Sequence, residues 1–265
     1  MIKYIRLSDI TSQNILENYI YNNKEDNYYF TDDYSIEMYD ALAFAGFISV
    51  THTNQNTNDE FLLPEMQFSY AVLHFDNLHM PKRLKKFINK YIINNDNYYI
   101  TINKNLDSVI NQIKKYHKDI NWLTDKYINT LKECRNSNNE LNCKTKIISV
   151  ELWDKNKLVA GEIGYINGSI YTSLTGFFDK ENYSNFGKIQ LVALALILKK
   201  SEFTFWNMGH PYMDYKFKMG AVEYQREYFL KNWEAHHEDV IDFNISGKKF
   251  KCTELFEEFF KINSL

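Results

Sequence analysis

Residues 150–178 constrain the fold of this chain most, because they predict three strands joined by very short turns. The segment begins with an alternating run of apolar and polar residues, and a second apolar run follows a tight turn at 158–166. Asn167 and Gly168 then form a two-residue turn, since both residue types accept positive φ at little cost. Residues 169–174 predict the third strand. Connections this short join only antiparallel neighbours, so the segment predicts a meander at the centre of a sheet.

A long apolar segment after the meander indicates how the sheet is covered. Residues 187–200 are rich in Leu and Ala and end in two lysines, which suit the C-terminal end of a helix. Residues 203–206 are aromatic and β-branched and predict a fourth strand, and 213–219 predict another helix. A meander followed by helix, strand and helix is typical of an α+β fold, with helices flanking a mostly antiparallel central sheet.

The remainder of the chain predicts further short elements on both sides of this region. Helices are expected at 36–45, from Pro81 onward, at 106–117, 124–134 and 255–262, and strands at 47–51, 69–75, 98–103 and 223–233. The polar stretch 136–144 is the expected linker. The chain therefore predicts a small α+β N-terminal domain at 1–143 and a second domain at 144–265.

Composition limits the classes of protein to which the chain can belong. Its 265 residues are 45% hydrophobic and 16% aromatic, which is ample for a packed core, and a net charge of -3 gives no global attraction to nucleic acid or membrane. The N-terminus lacks the apolar core of a signal peptide, and no run of 18 apolar residues occurs, so a cytoplasmic protein without membrane contact is expected.

Cysteine and histidine spacing predicts neither disulfides nor a metal site. Cys134, Cys143 and Cys252 show no paired spacing, and reduced thiols are expected, although a bond between the first two was the alternative. His236 and His237 are adjacent, so on an extended chain they point to opposite faces and cannot easily share one ion. No cofactor is predicted.

Six short segments occur in an order that is typical of one enzyme family. They are AGFI at 45–48, LHMPKRLKK at 78–86, NWLT at 121–124, SVELW with LVAG at 149–161, NFGK at 185–188, and GA at 220–221 followed by Arg226. Together they resemble the leucyl/phenylalanyl-tRNA–protein transferases. The resemblance implies a C-terminal domain with the GNAT acyltransferase fold behind a small N-terminal domain. It also implies transfer of a Leu- or Phe-like amino acid from aminoacyl-tRNA to the N-terminal α-amine of an acceptor protein, by a monomer.

Two segments depart from the family pattern. The family's GESMF segment corresponds to residues 173–177, so Leu174 stands where the family has its acidic residue. Counting back from Gly220 without gaps, residues 208–210 stand in place of its D-C-Q segment. The carboxylate and the amide credited with the chemistry are therefore absent from these positions, which predicts a divergent member.

His210 is the predicted proton acceptor, because histidine acts as a base near neutral pH and this one follows a strand end. Asn207 is the second catalytic candidate. The structural alternative for His210 is a ring that hydrogen-bonds the loop before Pro211.

Nine residues are predicted to bind substrate. Gly176 lets a ligand approach the backbone closely, and two carboxylates are expected to pair with a cationic N-terminal side chain. Apolar residues predict a pocket for a Leu- or Phe-like side chain. The structural alternatives are an ordinary hairpin end for the residues at 173–177, core packing for the apolar residues and surface positions for the carboxylates. The nine residues are Trp122, Glu151, Glu162, Ser173, Thr175, Gly176, Phe177, Lys188 and Met208.

Four cations at the start of one predicted helix indicate contact with nucleic acid. They are Lys82, Arg83, Lys85 and Lys86, and they are expected to bind phosphates near the acceptor end of tRNA. A solvated helix face is the structural alternative.

Two other functions fit the same predicted fold. An acetyl-CoA-dependent N-acetyltransferase holds pyrophosphate on a glycine-rich loop, but residues 183–188 contain a single glycine. A catalytically inactive homologue that binds tRNA or peptide is the other alternative, because function resides in the site and not in the fold.

Overall fold

The computed structural model describes residues 2–118, 122–137 and 143–262. The strands in these ranges are β1 (Lys3–Tyr4), β2 (Tyr29–Phe30), β3 (Ile48–Thr53), β4 (Glu60–Glu65), β5 (Ser69–His74), β6 (Tyr98–Ile102), β7 (Lys146–Asp154), β8 (Lys157–Asn167), β9 (Ile170–Phe178), β10 (Phe205–Asn207), β11 (Val222–Gln225) and β12 (Lys249–Lys251). The helices are α1 (Leu7–Ile10), α2 (Gln13–Ile15), α3 (Ile36–Phe44), α4 (Lys82–Tyr91), α5 (Leu106–His117), α6 (Asp125–Ser137), α7 (Phe186–Lys200), α8 (Asp214–Lys218), α9 (Arg226–His236) and α10 (Cys252–Ile262).

Eight strands form the main sheet, in the order β11-β5-β10-β9-β8-β7-β6-β12. Every neighbouring pair is antiparallel except β9 and β10, which are parallel. The predicted α+β class with a mostly antiparallel sheet is confirmed. The predicted meander is β7, β8 and β9, and each of these strands is longer than predicted, although β9 begins at Ile170, one residue after its predicted start.

The turn between β8 and β9 lies one residue later than predicted, because Asn167 pairs with Ile170 as the last residue of β8, and Gly168 and Ser169 form the turn. Gly168 adopts φ 54 between the two strands. A Cβ atom there would lie 2.1 Å from the backbone oxygen of His236, so a side chain at this position would be excluded by packing as well as by backbone strain.

Helices cover both faces of the sheet. The helix α7 packs on strands β6 to β9 and against α10, and its apolar residues from Val192 to Leu198 are all buried. The helix α5 packs on β7, β8 and β9 from the opposite face, and α6 contacts β7 beside it. Since both faces are covered, the central strands are apolar on both sides. Within the described ranges, no helix is long and apolar enough to cross a bilayer.

The strand predicted at 223–233 is wrong over most of its length. The strand β11 ends at Gln225, and the helix α9 begins at the next residue. Its buried residues are Arg226, Phe229, Leu230 and Trp233. These are spaced by three, one and three positions, which is the helical period, and this period outweighed the aromatic content that favoured a strand.

The main sheet contains strands from both sides of the predicted boundary at residue 143. The strands β5 and β6 precede it, and the other six follow it. Most of the predicted linker, residues 138–142, lies outside the described residues. The two-domain division stays a prediction.

Candidate active site

A cavity of about 550 Å³ opens where β9 and β10 separate. The strand β10 pairs with β9 only along residues 170–172, whereas β9 continues beside β8 to Phe178. After Asn207 the chain follows β5 instead, with the Met208 N–H donating to the Ala71 oxygen at 2.9 Å and the Ala71 N–H donating to the Gly209 oxygen at 2.7 Å. The divergence of two neighbouring strands leaves the gap that the cavity occupies.

Five parts of the chain line the cavity. These are the end of α5 with Trp122, the middle of β8, the end of β9, the start of α7, and the segment from the end of β10 through α8. The lining residues are Tyr116, His117, Trp122, Glu162, Ser173, Leu174, Thr175, Gly176, Phe177, Phe178, Asn185, Gly187, Lys188, Gln190, Leu191, Met208, Met213, Tyr215 and Lys216. The volume is within the range of small-molecule binding sites.

The structure brings together eight of the nine residues that were predicted to bind substrate. They are Trp122, Glu162, Ser173, Thr175, Gly176, Phe177, Lys188 and Met208. The ninth, Glu151, is fully buried on β7 and does not belong to the lining. Its carboxylate accepts hydrogen bonds from Thr101, Ser149 and the backbone N–H groups of Lys104 and Asn105.

Among the described lining residues, Glu162 carries the one carboxylate. It is 4% exposed, and it accepts hydrogen bonds from Tyr171, Ser173 and Gln190 at 2.5, 3.0 and 3.2 Å. Burial raises the pKa of Glu162, and these three donors offset part of that shift. Gly164 makes the arrangement possible, because a Cβ atom there would lie 2.3 Å from the Tyr171 hydroxyl oxygen.

Lys216 contributes a buried ammonium group to the same cavity. Its Nζ donates to the backbone oxygens of Met208 and His210, at 2.5 and 2.6 Å. Burial lowers the pKa of Lys216 to about 8, and no charged neighbour contributes to this shift. An ammonium group has three N–H donors, so one remains beyond the two backbone contacts.

His117 is a lining residue that the sequence analysis missed. Its Nε2 lies 3.2 Å from the backbone oxygen of Gly176 and 3.4 Å from the Thr175 hydroxyl. A carbonyl oxygen only accepts, so the neutral ring carries its hydrogen on Nε2 and leaves Nδ1 as the basic nitrogen. The available signal was helical spacing, since His117 follows the buried Ile113 by four residues on the face of α5 that contacts β9.

The two predicted catalytic residues are not among the residues that line the cavity in the described ranges. The Nε2 of His210 lies 2.8 Å from a carboxylate oxygen of Glu65, and its ring stacks on Tyr212. Asn207 is fully buried, and its Oδ1 accepts a hydrogen bond from the Gly209 N–H at 3.0 Å. Their predicted catalytic roles stay predictions.

The four cations predicted to bind nucleic acid lie on α4, beside the start of α7. The ring of Phe87 on α4 packs edge-on against Phe186, the first residue of α7, with ring centroids 6.2 Å apart. Lys82, Arg83 and Lys86 are exposed and Lys85 is half-buried. Across the described residues none of the four forms an ion pair, whereas the consecutive lysines at the end of α7 pair with Asp76 and Glu258.

Comparison with known proteins gives one consistent result. The family model described as leucyl/phenylalanyl-tRNA protein transferase matches residues 72–234, which is more than half of the chain. Curated proteins with the same name also match. The one from Pectobacterium carotovorum is 29% identical over 44% of both chains, and the one from Pseudoalteromonas atlantica is 29% identical over 60% of this chain and 62% of its own. The one from Flavobacterium psychrophilum is 28% identical over 60% of this chain and 70% of its own.

The chain thus covers less than two thirds of the length of the first two relatives. A solved structure, that of L-PGS from Bacillus licheniformis, aligns with 62% of this chain and 46% of that chain, at 10% identity and a TM-score of 0.39.

Proposed function

Because the chain belongs to the leucyl/phenylalanyl-tRNA protein transferase family, we propose that it moves an amino acid from aminoacyl-tRNA to the N-terminal α-amine of an acceptor protein. In this proposal the acyl group is Leu- or Phe-like and the enzyme acts as a monomer without a cofactor. The ester of the charged tRNA breaks, an amide forms at the acceptor amine, and the tRNA leaves with its terminal hydroxyl restored.

The observation that carries the proposal is the position of the cavity in the chain. All of its lining residues fall between residues 116 and 216, inside the segment 72–234 that matches the family. The cavity also lies beside the parallel pair β9–β10, at the point where the two strands separate next to α7. A splayed parallel pair next to a buried helix supports the GNAT-like arrangement that the family resemblance implies.

The apolar part of the cavity fits the side chain of a Leu- or Phe-like donor. Trp122, Leu174, Phe177, Leu191 and Met208 all line it. Burial of a large apolar side chain against such a wall contributes about 1.5–3 kcal/mol, which is enough to distinguish Leu and Phe from small or charged residues.

The reaction requires positioning, a proton acceptor and a donor for the developing oxyanion. The α-amine has a reference pKa of about 8, so part of it is uncharged near neutral pH. We assign proton acceptance to His117, because its ring lies inside the cavity, with His210 as the alternative given by the sequence. The third N–H of Lys216 supplies a donor for the oxyanion.

Cations that are not neutralised by the protein support a tRNA donor. Lys188 lines the cavity near the start of α7, where the helix dipole also favours anions. The helix α4, which carries four further cations, contacts the first residue of α7 through the rings of Phe87 and Phe186. Phosphate contacts by such residues position the acceptor end of tRNA without reading its sequence.

The test is incubation of the protein with radiolabelled Leu-tRNA or Phe-tRNA and a panel of peptides that differ in their first residue. We expect label to appear on peptides with a free N-terminus, Lys and Arg first among them, and not on the same peptides after N-acetylation. Acetylation of these peptides from acetyl-CoA, without transfer from tRNA, would overturn the proposal in favour of an N-acetyltransferase. Binding of charged tRNA without any transfer would identify an inactive homologue.

A further inference from the structure

The hydrogen bonds of Glu162 leave one acceptor position unused. Among the described residues, Oε1 accepts from the hydroxyl groups of Tyr171 and Ser173, and Oε2 accepts from the side-chain amide of Gln190 alone. A carboxylate has about four acceptor positions, two on each oxygen. The protein therefore fills both positions of Oε1 and one of Oε2. The fourth acceptor position, on Oε2, is unused, and Glu162 itself lines the cavity.

The neighbours of Glu162 are arranged as donors, which is the arrangement that an ionised carboxylate requires. The Ser173 hydroxyl oxygen already accepts a hydrogen bond from the Trp206 indole at 2.8 Å, so its own hydrogen is available for Glu162. The Tyr171 hydroxyl and the Gln190 amide also donate. These three donors to the carboxylate stabilise a negative charge on Glu162.

No positive charge in the described part of the chain balances that negative charge. Burial and three hydrogen bonds account for the pKa shift of Glu162, and no cation contributes to it. The pKa of Lys216, a buried ammonium group in the same cavity lining, is likewise shifted by burial alone. A buried carboxylate without a partner is costly, and a cationic donor from a ligand would relieve that cost.

Glu151 provides the contrast on the neighbouring strand. It is as deeply buried as Glu162, but four donors of the protein contact it, two on each oxygen. All four acceptor positions are thus used, and the residue does not line the cavity. The sequence predicted the same role for both glutamates. Among the described residues, the structure leaves an unused acceptor position on Glu162 and none on Glu151.

We propose that Oε2 of Glu162 is the ammonium-binding atom of the cavity, and that it selects substrates with an unblocked primary ammonium group. This inference rests on the proposed function, which offers two sources of that group. One is the α-ammonium of the aminoacyl ester on the donor tRNA, and the other is the N-terminal residue of the acceptor before its α-amine is deprotonated. A substrate with a blocked amine would leave the carboxylate buried and unpaired.

The experiment measures binding of small probes by calorimetry, without tRNA and without turnover. The donor arm compares L-phenylalanine methyl ester with methyl 3-phenylpropanoate, which has the same ester and ring but no amine. The acceptor arm compares a short lysine-free peptide that begins with Arg with the same peptide N-acetylated, so that the α-ammonium is the primary ammonium group that the two probes differ by. Each pair is measured on the wild type, on Glu162→Gln and on the matched control Glu151→Gln, with thermal unfolding as the check that each variant is folded.

We expect the wild type to bind the probe with a primary ammonium group at least about tenfold more tightly than its partner without one in one arm, which is the typical value of a hydrogen bond to a charged group. The arm that shows the preference identifies the source of the ammonium. Glu162→Gln should abolish the preference, and Glu151→Gln should keep it. Equal binding of both probes by the wild type in both arms would overturn the inference, even if the variants did not fold. A preference that survives in folded Glu162→Gln would overturn it as well.

The outcome is separable from that of the proposed function. A protein that transfers Leu or Phe from tRNA but binds probes with and without a primary ammonium group equally would contradict the role of Glu162 alone. A protein that discriminates between the probes through Glu162 but transfers nothing would support the ammonium site and contradict the transferase.

Discussion

At the scale of single residues, Glu151 is a structural carboxylate. Replacing it with Ala leaves four buried or half-buried donors without an acceptor, on Thr101, Ser149, Lys104 and Asn105. We therefore expect Glu151→Ala to lower the free energy of unfolding by about 3 kcal/mol or more, measured by urea denaturation. Glu254→Ala removes an exposed carboxylate and should change it by less than about 0.5 kcal/mol. Similar costs for the two variants would contradict this assignment.

Lys216 gives the protein a stability that rises with pH. Its pKa is lowered to about 8 in the folded state, below its unfolded value near 10.4, so the unfolded chain binds more protons between these values. The free energy of unfolding should then increase as pH rises through 8. Relative to Lys216→Met, the wild type should gain about 1 kcal/mol between pH 7 and 9. Parallel curves for the two proteins in urea denaturation across this range would show that Lys216 titrates normally.

The choice between two histidines as proton acceptor is also decided at the residue scale. His117→Gln should lower kcat/KM for transfer by about 100-fold, the usual contribution of a general base, because its ring lies against Gly176 in the cavity. His52→Gln, on the exposed part of β3, is the control and should leave the rate unchanged. Retention of activity within a few-fold by His210→Gln would remove the role predicted for His210, and the same result for His117→Gln would remove the role assigned here.

At the scale of elements, α4 is the proposed contact for tRNA phosphates. Lys85→Gln combined with Lys86→Gln should weaken tRNA binding and reduce the slope of log affinity against log salt by about 1.5, since each lost phosphate contact reduces it by about 0.7–0.9. The matched control combines Lys199→Gln with Lys200→Gln, which changes the net charge equally but removes lysines already paired with Asp76 and Glu258. Filter binding between 50 and 200 mM salt measures both. Equal slopes for the two double variants would assign α4 to the solvated surface.

Elements with a strong local signal could be predicted from the sequence. The meander was predictable because its turn residues and alternating runs act within a few positions, and α7 was predictable because its apolar run is too long for a strand. The error at 223–233 arose where a strand and a helix share one aromatic-rich run. Only the spacing of the buried Phe229, Leu230 and Trp233 distinguishes the helix from the strand, and tertiary packing determines which residues are buried.

The candidate site was predictable to the extent that its residues lie on predicted strand ends. Ser173, Thr175 and Gly176 follow directly from the meander. His117 and Lys216 reach the cavity only because α5 packs on β9 and α8 packs on β5, and neither arrangement has a local signal in the sequence. The strand order could not be predicted for the same reason. β5 lies between β10 and β11 through pairings that span more than a hundred residues, and such pairings have no local signal.

At the scale of the whole molecule, Arg226 joins distant parts of the chain. Its guanidinium donates to the backbone oxygens of Gln67, Met66, Ile20 and Asn23. Arg226→Met should leave these four oxygens without their donor and lower the free energy of unfolding by about 3 kcal/mol. Amide hydrogen exchange should accelerate at residues 20–30 more than in the β7–β9 meander. Arg83→Met, on an exposed position of α4, is the control, and uniform exchange in both variants would contradict the role of Arg226 as the link.

The position of β5 between β10 and β11 also has a consequence for synthesis on the ribosome. Residues 69–74 emerge early, yet their two hydrogen-bonding partners lie at 205–207 and 222–225. For most of translation this apolar strand therefore has both edges unpaired, a state that favours pairing with other chains. Such distant pairings also slow folding, because a long loop must close before they form. A growing chain of this protein therefore exposes both edges of β5 until residues 205–225 have been made.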